Sequence, residues 1–535
     1  MAPNTGITAG TSGGIDQSML HTGKWWQHGY IIKLNLLLLV PLITSYANGF
    51  DGSMMNGLQS VPHWQAYFNH PKPEDLGLFN AIQSIGAFVA IPLSPYVADG
   101  LGRKAGILLG ATIVMIGAVL QTATQNLGMF VGSRFLVGFG TTFAQMASPL
   151  LISEVAYPTH RAPLTSLYNS LWFSGSIVAA WTTFGTFRID SDWSWRVPSA
   201  LQGLSSVIQL LFVWFLPESP RWLINKGRDE QAKNIIARWH ADGDISHPIV
   251  AFEYNEIKEA LALESEAARI NWLDLFRTPG NRRRMRIIIG IGVFSQWSGN
   301  GLISYYLFKV LDGIGITNPT DQTLINGILA IYNFIIAITA SMNVERTGRR
   351  PLWIISTAGM LVSYAIITAM SATYENTQAV GAGRTLLAFV FIFNGFYAIA
   401  YTPLLVSYTV EILPFLIRAK GLAVMNFSVM GAIIFNQYTN PIALDALKWK
   451  YYLIYSCWLI FEFVYIWLWA AETKGRSLEE TAALFDGEDA VSELTNRTGH
   501  DMAEGGHRVA RGEKSPIDSH DEKLNLETSH REHAA

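Results

Sequence analysis

The sequence predicts an all-α membrane protein whose twelve transmembrane helices form two similar six-helix halves, and three observations lead there. Hydrophobic residues make up 50% of the 535-residue chain and charged residues only 15%, against about 25% charged in an ordinary soluble protein. The apolar residues fall in blocks of roughly 20, the length a helix needs to cross about 30 Å of hydrocarbon. Charged motifs recur in the same order in the first and second parts of the chain, the signature of an internal repeat.

Twelve spans are expected at 31–58, 77–98, 105–124, 127–151, 163–187, 196–216, 286–310, 322–344, 351–372, 384–410, 417–440 and 449–470. Backbone polar groups have no water to bond in the bilayer core, so each block reads as a helix. The domain reading follows: a tail at 1–30, a six-helix bundle at 31–216, a polar linker at 217–285 with helix-like runs, a second bundle at 286–470, and a tail at 471–535. The last part, from about Gly487, is poor in apolar residues and reads as disordered.

The first apolar run begins near Ile31, too late for a simple cleaved signal peptide. Lys and Arg gather in the linker and in the short loops holding Arg103, Lys104, Arg161, Arg346, Arg349, Arg350, Arg418 and Lys420. That side is expected to face the cytoplasm, with both termini. The cluster Arg282–Arg284 reads as a topology or lipid-headgroup anchor. The single cysteine, Cys457, excludes an intrachain disulfide or cysteine metal cluster. A net charge of −3 gives no field for nucleic acid. With no phosphate-binding Gly-Lys-Ser/Thr loop, metal cluster or nucleophile motif in the sequence, no enzyme and no cofactor is expected.

The repeats are specific. Asp99-Gly-Leu-Gly-Arg-Lys104 follows the second span and Glu345-Arg-Thr-Gly-Arg-Arg350 the eighth. Glu154 and Arg161 follow the fourth span, and Glu411 and Arg418, at the same spacing, follow the tenth. Pro217-Glu-Ser-Pro-Arg221 ends the sixth span and Glu472-Thr-Lys-Gly-Arg476 the twelfth. Parallel halves of this kind place a substrate site between them near the bilayer midplane. The ordered set DGLGRK, GSRFLVGFG, EVAYPTHR, PESPRWL, QWSGNG, VERTGRR, EILPFLIRAKG and ETKGRSLEE resembles the sugar porter family of the major facilitator superfamily. NGFDGSMMNGLQ in the first span is most similar to fungal sugar permeases of the hexose and lactose type.

Short Gly–Arg–carboxylate loops at helix ends suit a switchable lock, in which an Arg fork pairs with a carboxylate of the other bundle in one state and releases it in the other. The candidates are Asp99, Arg103, Glu154, Arg161, Glu218, Glu345, Arg349, Glu411, Arg418 and Glu472. Asp51 lies inside the first span, where an ionised Asp costs roughly 2.5–3.5 kcal/mol. Arg134 lies inside the fourth at a similar depth, which permits pairing. Arg134 favours the charged form of Asp51 and burial the neutral one, so a proton competes with the arginine for the acid. In the family the resemblance names, proton-coupled symporters carry an acid and an arginine at these positions. Glu462, in the last span, is either a second proton site or a structural group that bonds a neighbouring helix or faces a crevice.

A sugar is held by amides, which both donate and accept, and by aromatic faces. Candidates are Asn169, Gln296, Asn300, Asn333, Asn426, Tyr305 and Tyr306, with Asn436, Trp297 and Phe396 beside them. The resemblance places Asn169, Gln296 and Asn333 on sugar-binding positions of the family. Ser295, Gly301 and Val406 depart from its pattern, and the loss of a family Trp at Val406 leaves room for a larger sugar. The implied function is proton-coupled import of a hexose or disaccharide by a monomeric unit in the plasma membrane, with sugar, proton and lipid bilayer as partners. A facilitative uniporter, a sugar sensor and an exporter of another metabolite remain as alternatives on the same fold.

Overall fold

The computed structural model describes residues 20, 24–268, 271–475, 481 and 484–486. The tail read as disordered from about 487 lies outside the described residues.

The first half runs α1 (Gly29–Leu58), α2 (Pro73–Ala90, continued after a 45° bend by Ser94–Gly100), α3 (Arg103–Thr122), α4 (Leu127–Val155), α5 (Arg161–Thr186) and α6 (Trp193–Gln202 with Leu204–Phe212). The second runs α7 (Pro279–Trp297, broken and resumed as Asn300–Asp312), α8 (Pro319–Thr347), α9 (Arg349–Thr377), α10 (Val380–Ile412), α11 (Phe415–Leu447) and α12 (Trp449–Trp469). Nine helices among the described residues are long and apolar enough to cross a membrane, and the bent α2 makes ten. The other two, α5 and α7, complete the twelve. Their lower hydropathy has a cause: α7 opens on Arg282–Arg284 and breaks at Ser298–Gly299, and α5 carries Asn169 and several Ser and Thr residues.

Local chemistry starts many of these helices where they begin. Pro73, Pro279 and Pro319 occupy first helical positions, where the missing N–H is no loss. Side chains of Asn126, Thr278 and Asn318 accept from backbone N–H groups of the first turns of α4, α7 and α8. The linker contributes Pro220–Asn225, Asp229–His240, Pro248–Ala268 and the short Asp274–Arg277, on the side of the molecule where α6 ends and α7 begins. That side is called the linker side below, and the opposite one the far side. The halves meet chiefly where α2 packs on α11 and α5 on α8.

Arg284 is not an anchor for lipid. Its side chain is fully buried and pairs with Asp486 at 2.6 Å, under a Phe485 ring 4.9 Å from the guanidinium carbon. The segment after α12 thus returns to the foot of the second half.

Candidate functional site

Between the halves, from mid-depth toward the far side, lies a cavity of about 380 Å³, inside the about 300–1,000 Å³ range of small-molecule sites. Eleven of its lining side chains are Asn or Gln, and one, Arg134, is charged. Such a wall offers donors and acceptors together and favours a neutral polyhydroxylated solute over an ion. The helices present it as stripes: Asn48, Gly52 and Asn56 on α1, and Arg134, Gly138, Thr141 and Gln145 on α4, recur at the spacing of one helix face. Trp172 and Phe173 from α5, Tyr305 from α7 and Tyr397 from α10 add flat apolar faces. Three amide atoms in the lining are buried with no hydrogen-bond partner among the described residues: Asn300 Oδ1, Asn333 Oδ1 and Asn326 Nδ2.

Of the residues expected to hold substrate, Gln296, Asn300, Asn333 and Tyr305 line the cavity. Tyr306 does not. Its ring is wholly buried at a kink in α7, where its φ is −137°, and its hydroxyl donates toward the carbonyl oxygens of Gln437 and Leu76. Asn169 and Asn426 are exposed, about one helical turn to the linker side of the lining residues Trp172 and Met430. Asn436, Trp297 and Phe396 pack between helices instead: Asn436 donates to the Gln296 carbonyl, Trp297 Nε1 donates to that of Ala432, and Phe396 sits against Gly359. Sequence reasoning missed Asn48, Asn56, Asn80, Gln83, Gln145, Asn326, Asn394 and Gln437; the helical stripes were the signal that could have found several of them.

On the far side the halves are sealed against each other. Asn56 Nδ2 donates to Asn326 Oδ1 at 3.0 Å, and the Leu307 N–H donates to Asn56 Oδ1 at 3.1 Å. Gln59 Nε2 donates to the Tyr305 carbonyl at 3.0 Å, and Ser84 Oγ to Gln437 Oε1 at 2.6 Å. Above these bonds Tyr306 and Phe308 of the second half enter a hydrophobic cluster with Phe50, Met54, Leu58 and Trp64 of the first. The large clusters elsewhere draw either on the first half and the linker or on the second half with Leu275 at the linker's end and the segment that follows α12. The structure is therefore closed on the far side.

Asp51 is 1% exposed and sits behind the cavity wall. Arg134 is the cation whose charge acts on it, and Gln202 of α6 lies beside it. The expected direct pair is not formed. Arg134 turns to α2, where Nε donates to the Phe79 carbonyl at 2.8 Å and Nη2 to Gln83 Oε1 at 2.5 Å. Both Asp51 carboxylate oxygens and Arg134 Nη1 are left buried without a hydrogen bond among the described residues.

The linker side carries the same corner twice. Arg103 reaches Glu154 through Nε at 3.1 Å and Nη2 at 3.2 Å, and Asp99 through Nη1 at 2.7 Å. Arg349 reaches Glu411 through Nε at 3.1 Å and Nη2 at 2.9 Å. Glu218 accepts from the N–H groups of Arg103 and Lys104, and Glu472 from those of Arg349 and Arg350, so each caps the start of a helix, α3 or α9. These forks stay within their own half, contrary to the expected cross-bundle lock, because each carboxylate stands on the neighbouring helix of the same bundle. The other arginine of each repeat takes a different partner. Arg161 Nη2 lies 3.5 Å from Glu253 of the linker, which also meets His240 at 2.8 Å. Arg418 donates to the Leu413 carbonyl through Nη2 at 3.3 Å. Burial alone would push the Glu253 carboxyl up, but His240 and Arg161 hold it below the usual range. The side chain of Glu345 lies outside those described.

A family model described as "Sugar (and other) transporter" matches residues 37–485. A high-affinity glucose transporter of Kluyveromyces lactis is 27% identical over 84% of this chain and 85% of its own. The MFS-type transporter oryC of Aspergillus oryzae is 30% identical over 81% of each. The solved xylose transporter XylE of E. coli, in an inward open conformation, superposes with a TM-score of 0.70 at 24% identity, over 84% of this chain and all of that one, which establishes the twelve-helix major facilitator fold. Because the family match runs unbroken through both halves and the linker, the chain belongs to the sugar (and other) transporter family.

Proposed function

We propose that this chain imports a sugar, a hexose or a disaccharide, by proton symport across the plasma membrane, with both termini and the linker in the cytoplasm. It works as a monomer, with bundles at 31–216 and 286–470 rocking about the cavity and the linker at 217–285 joining them. The observation that carries the reading is one charged residue, Arg134, in a cavity whose polar wall is mainly amides, with the buried acid Asp51 behind it. The unspent atoms of Asn300, Asn326 and Asn333 are ready partners for sugar hydroxyls. Glucose appears in the names of several relatives.

The coupling follows from the arrangement of Arg134. A charged Asp51 draws the guanidinium toward itself and away from Gln83; a protonated Asp51 lets it stay on α2, as here. Since Arg134 and Gln83 both line the cavity, the proton on Asp51 sets the polar groups that the substrate meets. The exposed Asn169 and Asn426 would join the wall when the linker side closes.

Uptake of labelled sugars into transport-deficient cells tests this. Asp51→Asn is expected to lose concentrative uptake, so that internal sugar rises no higher than external, while exchange persists. Full accumulation by that variant would remove Asp51 from the coupling. A second reading is export of another metabolite, favoured by the relative oryC, whose name specifies no sugar, and by Ser295, Gly301 and Val406 at positions where the family pattern differs. Outward flux of a non-sugar from loaded proteoliposomes would select it.

A further inference from the structure

A second carboxyl group lies deep in the membrane-spanning part and has no role in the coupling above. Glu462 of α12 is 0% exposed. It packs against the break in α7, where Gly299 adopts a left-handed φ of 92°. The residues flanking this break, Gln296 and Asn300, both line the cavity.

The donors and acceptors around the break do not balance if Glu462 is ionised. Ser298 Oγ lies 2.5 Å from the Phe294 carbonyl oxygen and 2.9 Å from Glu462 Oε2. A serine hydroxyl has one proton, and a carbonyl oxygen only accepts. The Phe294 carbonyl also accepts from the Ser298 N–H at 3.2 Å, but two oxygens 2.5 Å apart need a proton between them, so the short contact uses the hydroxyl proton of Ser298, and a carboxylate would set a bare negative oxygen against the serine lone pairs. A carboxylic acid removes the conflict, because its own O–H donates to Ser298 Oγ.

The surroundings agree. The groups beside Glu462 are Ser298, Trp458 and Tyr401, neutral donors that would favour a carboxylate, and its charge would reach Tyr397; none of these is a cation that could offset complete burial. Asp51, by contrast, has Arg134 nearby. The break is pinned from other directions too. Tyr364 donates to the Gly299 carbonyl at 3.1 Å, and Tyr397, a lining residue, donates to that of Ser295 at 2.7 Å. Asn300 Nδ2 donates to the same Ser295 carbonyl at 3.1 Å. The Ser298 contact to α12 thus holds the one stretch of α7 that aims two cavity amides.

We infer that Glu462 is a positioning residue, a neutral carboxylic acid that donates to Ser298, fixes the α7 break and so orients Gln296 and Asn300, and that keeps its proton through the transport cycle. The orienting role rests on the cavity being the sugar site proposed above; the protonation state does not.

The full-length protein in lipid nanodiscs separates the two. Glu462→Leu, which removes the donor, is expected to weaken equilibrium binding of D-glucose or another transported sugar about tenfold, and Glu462→Gln, which keeps an N–H donor, to recover it to within about threefold of wild type. Infrared spectra of the wild type should contain a protonated-carboxyl carbonyl band that persists over the pH range of transport and is missing from Glu462→Gln. A band that disappears and returns within that range would overturn the proposal, as would a Gln variant that binds sugar but, like Asp51→Asn, no longer accumulates it. If no sugar binds the wild type, the sugar reading fails, and the infrared band still decides whether Glu462 holds its proton.

Discussion

Glu218 and Glu472 cap equivalent helices in the two halves, yet their surroundings drive them apart. Burial outweighs the backbone donors around Glu218 and raises its carboxyl above the ordinary value. Glu472 is less enclosed, and four backbone N–H groups overcome burial to lower its carboxyl below that value. The ion pairs beside them differ in the same sense. The side chains of Arg103 and Glu154 are 10% and 9% exposed, whereas those of Arg349 and Glu411 are 9% and 26% exposed. One repeated motif therefore yields a dry corner under the first half, where the linker helices cover it, and a wetter one under the second. Repetition of sequence preserves the geometry of a motif, while its energetics follow from what covers it.

The largest expected effect that separates the corners comes from removing their arginines. Arg103→Ala leaves Glu154 without its partner in a nearly dry site and should cost about 3 kcal/mol. Arg349→Ala leaves a carboxylate that water reaches and should cost about 1–2 kcal/mol. Thermal unfolding of the purified variants compares them, and equal losses would erase the distinction drawn here.

Next come the glycines preceding the two arginines. Gly102 has φ 109° and ψ 165°, and Gly348 has φ 96° and ψ 163°, a region open essentially to glycine alone. Alanine at either position should cost about 1–3 kcal/mol from the backbone. Gly102→Ala should be the worse, since its Cβ would stand 2.5 Å from Glu218, against 3.0 Å from Glu472 at Gly348. The order of the two melting temperatures checks this.

The smallest effect is in pH dependence. With its folded value raised, Glu218 binds protons more readily in the folded state, so its contribution to stability grows as pH falls through that value. With its folded value lowered, Glu472 contributes fully above the unfolded value near 4.5, and the contribution drains away as pH falls through the folded one. Measured against pH, the stability difference between wild type and Glu218→Gln should move toward wild type on acidification, and that for Glu472→Gln should move away from it. Parallel curves would mean that the two caps are alike after all.

The twelve spans were legible because a bilayer demands long apolar helices, and the repeated corners because Gly, Arg and Glu recur at helix ends. The runs within the linker did become helices, at Asp229–His240 and Pro248–Ala268. Four of the cavity residues were legible as amides and a tyrosine in the seventh and eighth spans. The rest were not, for a physical reason. A polar stripe such as Asn48, Gly52 and Asn56 marks a face turned from lipid, but a lone amide does not tell whether it meets the cavity or a neighbouring helix. Asn169 and Asn426 fit the expected composition but stand outside the cavity in this state, whereas Gln145 and Asn56 lie within it. The partners of Arg103 and Arg134 depended on which helices lie side by side, which residue spacing does not report.

The far-side closure between Asn56, Asn326, Gln59, Ser84 and Gln437 is built from uncharged groups. Moving one full charge through the membrane field changes the energy by about 2.3 kcal/mol per 100 mV, but parting these amides moves none. Breaking these hydrogen bonds should therefore be indifferent to membrane voltage, and ionic strength should act on that end only through Lys309, which feels the charge of Glu74 across the halves. Any electrical signature of a turnover should then trace to the solute and the proton it carries rather than to the seal.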